Sequence, residues 1–262
     1  MKTYKYLIIL SLFVGTKLSY AQETNTIDTE NKKTGKAEIS KDYKPFDFNL
    51  QVKNMHLWRG YRVTDAPMTA ANVSYTSKSA KFKAGIWGGA GFNGDYTEFD
   101  YYVSYTNGGF SLSLWDINNF SSFPNAEIFD YSKETTSHFV DLTAAYAFKK
   151  IPFSISWSTI LLGRDTFLDD SGKLSNAYSN FLQINSTIYK DTDSSLSIYI
   201  AGAFAFNSSE SHFYGTKFLN SFGLTFSKDV KVFNKKYIPV SASAMWNTDL
   251  QYGGLQVAVD LF

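Results

Sequence analysis

Six ionisable residues, Asp47, Lys53, Lys83, Glu98, Asp100 and Asp141, stand in stretches where apolar and polar residues alternate, each on the polar side of that alternation. Charges of both signs along one face of a wall would line a polar passage with weak ion preference. Equally, they would pair with one another and fill a narrow interior. A second constellation is Ser137-His138, which invites comparison with serine esterases, where a serine, a histidine and an orienting amide or carboxylate meet. No Gly-x-Ser-x-Gly elbow accompanies it, and a solvated histidine at a strand end is the plainer reading, so no catalytic residue is expected. His56, His138 and His212 are far apart and in no metal-ligand spacing, so neither a metal nor a cofactor is expected.

The elements that would carry these residues are short and alternate with period two. Candidate strands cover about 46–58, 69–77, 81–92, 95–106, 109–117, 138–148, 152–162, 178–189, 195–206, 217–228, 238–247 and 252–262. Each is near the roughly 9–11 residues that a tilted strand needs to cross a bilayer. Closure leaves no backbone N–H or C=O facing hydrocarbon unpaired, which makes a barrel the one non-helical structure able to span. The expectation is therefore an all-β fold, a transmembrane antiparallel up-and-down barrel of about 12 strands over residues 45–262. Aromatic residues at 18% with only 44% apolar residues suit a wall with one apolar face and aromatic girdles. A net charge of +1 gives no field that would attract nucleic acid, and the absence of cysteine excludes disulfides and a lipid anchor at cysteine. A soluble β-sandwich is the rival fold and would place far fewer rings outward.

Two Asn-Gly pairs, Asn93-Gly94 and Asn107-Gly108, are hairpin signals because both turn positions need positive φ. As two-residue turns they pair residues whose numbers sum to 187 and to 215. Phe82, Ala84, Ile86, Tyr101, Val103, Tyr105, Phe110, Leu112 and Leu114 would then face lipid. Lys83, Trp87, Asp100 and Trp115 would face the lumen, with Asp100 between Trp87 and Trp115. The longest connections fall on the odd-numbered side, which puts both termini in the periplasm because outer loops are the long ones.

Lys2 and Lys5, an apolar run from Leu7 to Val14, and Ser19-Tyr20-Ala21 read as a cleavable export signal over 1–21. Residues 22–44 are too polar to bury a core and read as a disordered periplasmic segment. Trp58, Arg59 and Arg62, with Tyr61, suit either phosphate groups of lipopolysaccharide or an interfacial anchor. Phe120, Phe123, Pro124, Ile128, Phe129 and Tyr131 make the 118–137 loop too apolar to stand free. It is expected to fold back into the barrel mouth as a constriction, the alternative being a binding surface.

Trp58-Arg59-Gly60-Tyr61, Ala84-Gly85-Ile86-Trp87-Gly88 and Glu98-Phe99-Asp100-Tyr101 together resemble the uncharacterised TorF-like family of outer-membrane porins, over residues 57 to 127. That resemblance implies an exported barrel of channel function in a Gram-negative outer membrane, with no settled substrate. The C-terminus carries the terminal aromatic Phe262, but Asp260 breaks the apolar pattern expected for recognition by the barrel assembly machinery. The expectation is a passive route for small polar solutes, with pore-lining candidates Lys83, Trp87, Glu98, Asp100, Trp115 and Asp141. A lipid-modifying enzyme and a non-conducting structural or adhesive barrel are the alternatives.

Overall fold

The structure is a computed structural model that describes residues 43–123, 125, 127–213, 217–232 and 236–262. The export signal, nearly all of the polar N-terminal segment and Pro124 lie outside the described residues. Strands follow one another as β1 (Phe46–Lys53), β2 (His56–Trp58), β3 (Tyr61–Thr64), β4 (Met68–Thr76), β5 (Phe82–Gly91), β6 (Thr97–Asn107), β7 (Phe110–Asn118) and β8 (His138–Ala147). They continue as β9 (Phe153–Gly163), β10 (Thr166–Leu168), β11 (Leu174–Asn176), β12 (Ser179–Lys190), β13 (Ser194–Ala205), β14 (Leu219–Val232), β15 (Lys236–Asn247) and β16 (Tyr252–Asp260). Twelve of these form one closed antiparallel barrel, in which β1 pairs with both β4 and β16. β2–β3 and β10–β11 are separate hairpins.

Alternation sorts the wall into two surfaces. Phe82, Ile86, Val103, Leu112, Leu114, Ile198 and Leu224 are exposed on the outside. The inner face carries Ser74, Ser111, Ser113, Thr143, Gln183, Ser241, Ser243 and Gln256, all buried. An apolar exterior around a hydroxyl- and amide-lined interior is the inverse of a soluble fold and matches a bilayer-spanning barrel. Asp260 belongs to that interior: its carboxylate accepts from Gln51 Nε2 at 2.8 Å and from Asn49 Nδ2 at 3.3 Å across the closing seam.

The register of β5 and β6 is the one expected from Asn93-Gly94: Phe82 pairs with Tyr105 and Trp87 with Asp100. The register of β6 and β7 differs by one step. Asn107 pairs with Phe110, so Gly108-Gly109 form the turn, and Trp115 lies level with Tyr102 instead of Asp100. Moving both turn residues along by one keeps every side chain on its expected face, because side chains alternate with period two. The 229–237 connection is shorter than the sequence suggests, since β14 and β15 run on and pair as far as Val232 with Lys236. Asn220, which shares the phase of the exposed Phe222, Leu224 and Phe226 in β14, is nevertheless fully buried and donates its amide to the Phe213 carbonyl at 2.8 Å. A register shift where β13 passes from Ala201 to Gly202 interrupts the alternation beside it.

Candidate functional site in the barrel lumen

The first barrel strand stops at Lys53, short of the expected residue 58. Asn54 ends it by clasping β16: its amide donates to the Leu255 carbonyl at 3.0 Å and its side-chain oxygen accepts from Val257 N at 2.6 Å. The chain then turns inward as the β2–β3 hairpin, closed by a two-residue turn in which Arg59 (φ 41°) and Gly60 (φ 84°) both have positive φ. Gly60 is required there, because a Cβ would lie 1.8 Å from Asn220 Oδ1. The hairpin is tied around the lumen. Leu57 N donates to Gln256 Oε1 at 2.9 Å, Arg62 N to Tyr252 Oη at 2.9 Å, and Asn247 Nδ2 to the Gly60 carbonyl at 2.7 Å.

At the hairpin tip Arg59 makes a two-pronged ion pair with Asp141 of β8, Nη1 to Oδ2 at 2.5 Å and Nη2 to Oδ1 at 2.7 Å. Thr143 accepts from Arg59 at 3.0 Å and itself donates to Asp141 at 2.8 Å. The Asp141 side chain has no exposed surface and that of Arg59 has 11%. Trp58 packs on Tyr61, Phe139 and Phe213, with ring centroids 5.6–5.8 Å apart. Lys53 is buried with Nζ 3.4 Å from His56 Nδ1, and the His56 ring stacks on Trp87. Trp115 stacks on Tyr102 at 4.1 Å and an interplanar angle of 13°. Glu98 accepts from Asn119 Nδ2 at 2.8 Å, and Asp100 from Asn118 N at 3.0 Å.

The Arg59–Asp141 pair, Trp58, His56 and Phe139 line a cavity of about 70 Å³. At about 10–15 Å³ per water it holds only a handful of waters. Trp87, Glu98, Asp100, Trp115 and Asp141 line it; Lys83 does not, lying on the same inner face toward the opposite rim with Asp47. Trp58 and Arg59 also line it, which corrects the expectation that they face lipopolysaccharide or anchor the interface. The cause is the inward turn at Asn54, which carries both side chains off the outer wall. Arg62 remains partly exposed, 5.4 Å over the Tyr252 ring.

The narrowing comes from a different place than expected. The 118–137 loop leans over the mouth only at its start, where Phe123 meets the Arg164 guanidinium at 5.8 Å. Its returning segment covers the outer wall: Tyr131 donates to Asp116 Oδ2 at 2.5 Å and is hydrogen-bonded to Tyr101, while Ile128 and Phe129 stay exposed. Burial and the neighbouring Asp116 raise the Tyr131 phenol above its ordinary value. Beneath this cover His138 Nδ1 pairs with Asp116 Oδ1 at 2.6 Å, and Ser137 Oγ donates to Asn118 Oδ1, away from the imidazole. The second lumen filler is the 206–213 segment. Phe213 is fully buried against Trp58 and Phe181, and His212 packs on Phe139 at 4.9 Å. Burial first, then Arg164 and Arg59, push the His212 imidazole down to about 3, so it is neutral.

Sequence reasoning missed Arg164, His212 and Phe213 as lumen residues. Arg164 follows Gly163, and a glycine at a strand end before an arginine was a readable turn signal; nothing comparable marks His212 and Phe213. Among the described residues no group of three His, Cys, Asp or Glu side chains is placed to hold a metal.

No protein-family model matches the chain, and no curated protein matches it. Among solved structures it is similar to the NanC porin, with 10% identity and a TM-score of 0.48, over 82% of this chain and 98% of that one. It is also similar to the KdgM porin (9% identity, TM-score 0.43, 81% and 96%) and to OccK9 of Pseudomonas aeruginosa (12%, 0.35, 84% and 58%). The barrel itself is established by the strand pairing of this chain, from Phe46 round to Asp260.

Proposed function

We propose that the protein is an outer-membrane porin giving passive passage to small polar solutes, with the β2–β3 hairpin as its constriction. The observation that carries this reading is the arrangement of the wall: hydroxyl, amide and charged groups inside, exposed apolar side chains outside, and a cavity of charged and aromatic groups at the hairpin tip. Such an interior hydrates readily, while the bare outer face requires lipid. On this reading the signal over 1–21 delivers the chain to the periplasm of a Gram-negative cell. Assembly machinery then inserts the barrel with both termini periplasmic and lipopolysaccharide around its long-loop rim. The TorF-like resemblance agrees with it. Two arginines, Arg59 and Arg164, and three carboxylates, Glu98, Asp100 and Asp141, around this cavity would give weak ion preference and a small conductance. Single-channel recording on the refolded mature protein tests the proposal: steady, salt-dependent steps support it, and silence from a folded barrel overturns it.

A further inference from the structure

We infer that the lumen holds an oxyanion subsite centred on Arg164, which takes the carboxylate or phosphate group of a solute entering from the long-loop rim. This rests on the porin reading for its access route and on separate residues for its chemistry.

Gly163 ends β9 at φ +103°, and a Cβ there would lie 2.1 Å from the His138 carbonyl, so the chain passes too close to β8 for any other residue. That turn delivers Arg164, whose backbone N donates to the same His138 carbonyl at 2.9 Å. The Arg164 guanidinium then lies over the Phe139 ring at 5.1 Å and faces the lumen cavity. Its Nε is buried without a hydrogen-bond partner, and no carboxylate among the described residues pairs with it. The acids that line the same cavity are engaged elsewhere. Asp141 has both oxygens on Arg59, Glu98 accepts from Asn119 and Asp100 from Asn118.

On the Phe139 ring also rests His212, whose Nε2 is likewise buried and unpartnered. Arg164 Nε and His212 Nε2 are thus two unsatisfied nitrogens on side chains packed against one ring, and the guanidinium has no ion-pair partner among the described residues. A planar or tetrahedral oxyanion supplies the Arg164 guanidinium with both a hydrogen-bond acceptor and an ion-pair partner, since guanidinium matches carboxylate and phosphate with parallel N–H bonds. Water would satisfy Nε–H but leave the ion pair unmade, and an ammonium would be repelled by Arg164.

Inorganic phosphate and acetate serve as probes, titrated calorimetrically into the refolded mature chain in detergent at low chloride. Wild-type protein is expected to bind both, Arg164→Gln at least tenfold more weakly, and Lys217→Gln, an exposed loop change, as wild type. Folding of each variant is checked by its gel mobility before and after heating. Should Arg164→Gln fail to fold, Arg164→Lys keeps the charge but removes Nε–H and the fork, and is expected to weaken phosphate severalfold. Equal binding by wild type and the Arg164 variants, or none by wild type, overturns the subsite. Bilayer recordings separate the two ideas: phosphate binding with no conductance retains the subsite and removes the porin reading. Conductance without phosphate binding removes the subsite alone.

Discussion

Breaking the ion pair at the hairpin tip should release the constriction without unfolding the barrel. In Arg59→Gln the Asp141 carboxylate stays where it is, fully enclosed, with Thr143 as its remaining donor. Leaving one partner of a buried pair uncompensated costs about 3–5 kcal/mol. The barrel ladder does not pass through Arg59, so the cost falls on the docked state of residues 54–66. At 1.4 kcal/mol per factor of ten, the undocked population rises roughly 100- to 4000-fold. Amide hydrogen exchange of the refolded protein reads this directly, as accelerated exchange at Leu57 and Arg62, whose N–H groups bond Gln256 and Tyr252, with β13–β15 unchanged. The double variant Arg59→Met/Asp141→Leu provides the control, because replacing both charges with apolar groups of similar size is close to neutral. It should restore slow exchange. Changes below tenfold in the single variant, or a double variant as fast as the single, would refute the claim that this pair seats the hairpin.

The His212 imidazole, neutral and pushed down to about 3 against 6.5 unperturbed, stabilises the docked 206–213 segment above about pH 6.5, and that stabilisation is lost as the pH falls toward 3. By pH 4.5 the loss is roughly 2–3 kcal/mol, so exchange in this segment should accelerate on acidification and His212→Gln should abolish the effect. Asp165 opposes this: burial raises its carboxyl pKa, so its own contribution grows in acid, and a His212→Gln variant should show that residual trend in the 164–179 amides. Gly163→Ala should undo the Arg164 turn, because a Cβ meets backbone on β8; slower refolding or a shifted heated-gel transition is the expected reading, and wild-type behaviour would contradict the geometry. Val103→Arg, on the outer face, should destabilise the barrel in lipid by about 2–4 kcal/mol if it lies near the midplane, whereas Ser104→Arg, pointing inward, should cost much less.

The wall was legible because its physics is local. Alternation with period two decides which side chains meet lipid, and Phe82 to Leu114 kept their faces even where the Asn107-Gly108 turn moved on by one residue. The interior was less legible because it depends on where a strand stops. Leu57 and Trp58 continue the β1 pattern in sequence, yet Asn54 caps the strand by bonding β16, a contact some 200 residues away that no local pattern encodes. Gly60 marks a possible turn, but arginine in a positive-φ position is uncommon, and Arg59 and Arg62 between Trp58 and Tyr61 suit an interfacial anchor as well. The many rings of the 118–137 loop point to a constriction there, yet Tyr131 packs on the outer wall, and the lumen is filled by Trp58 and Phe213 from two shorter stretches.

Single-channel conductance of the mature protein beside a variant in which residues 55–65 are replaced by a short Gly-Ser linker tests the central claim most directly. The account predicts small, steady steps for the parent and a severalfold larger conductance once the hairpin is gone. Two folded barrels that are both silent, or that conduct identically, would contradict it.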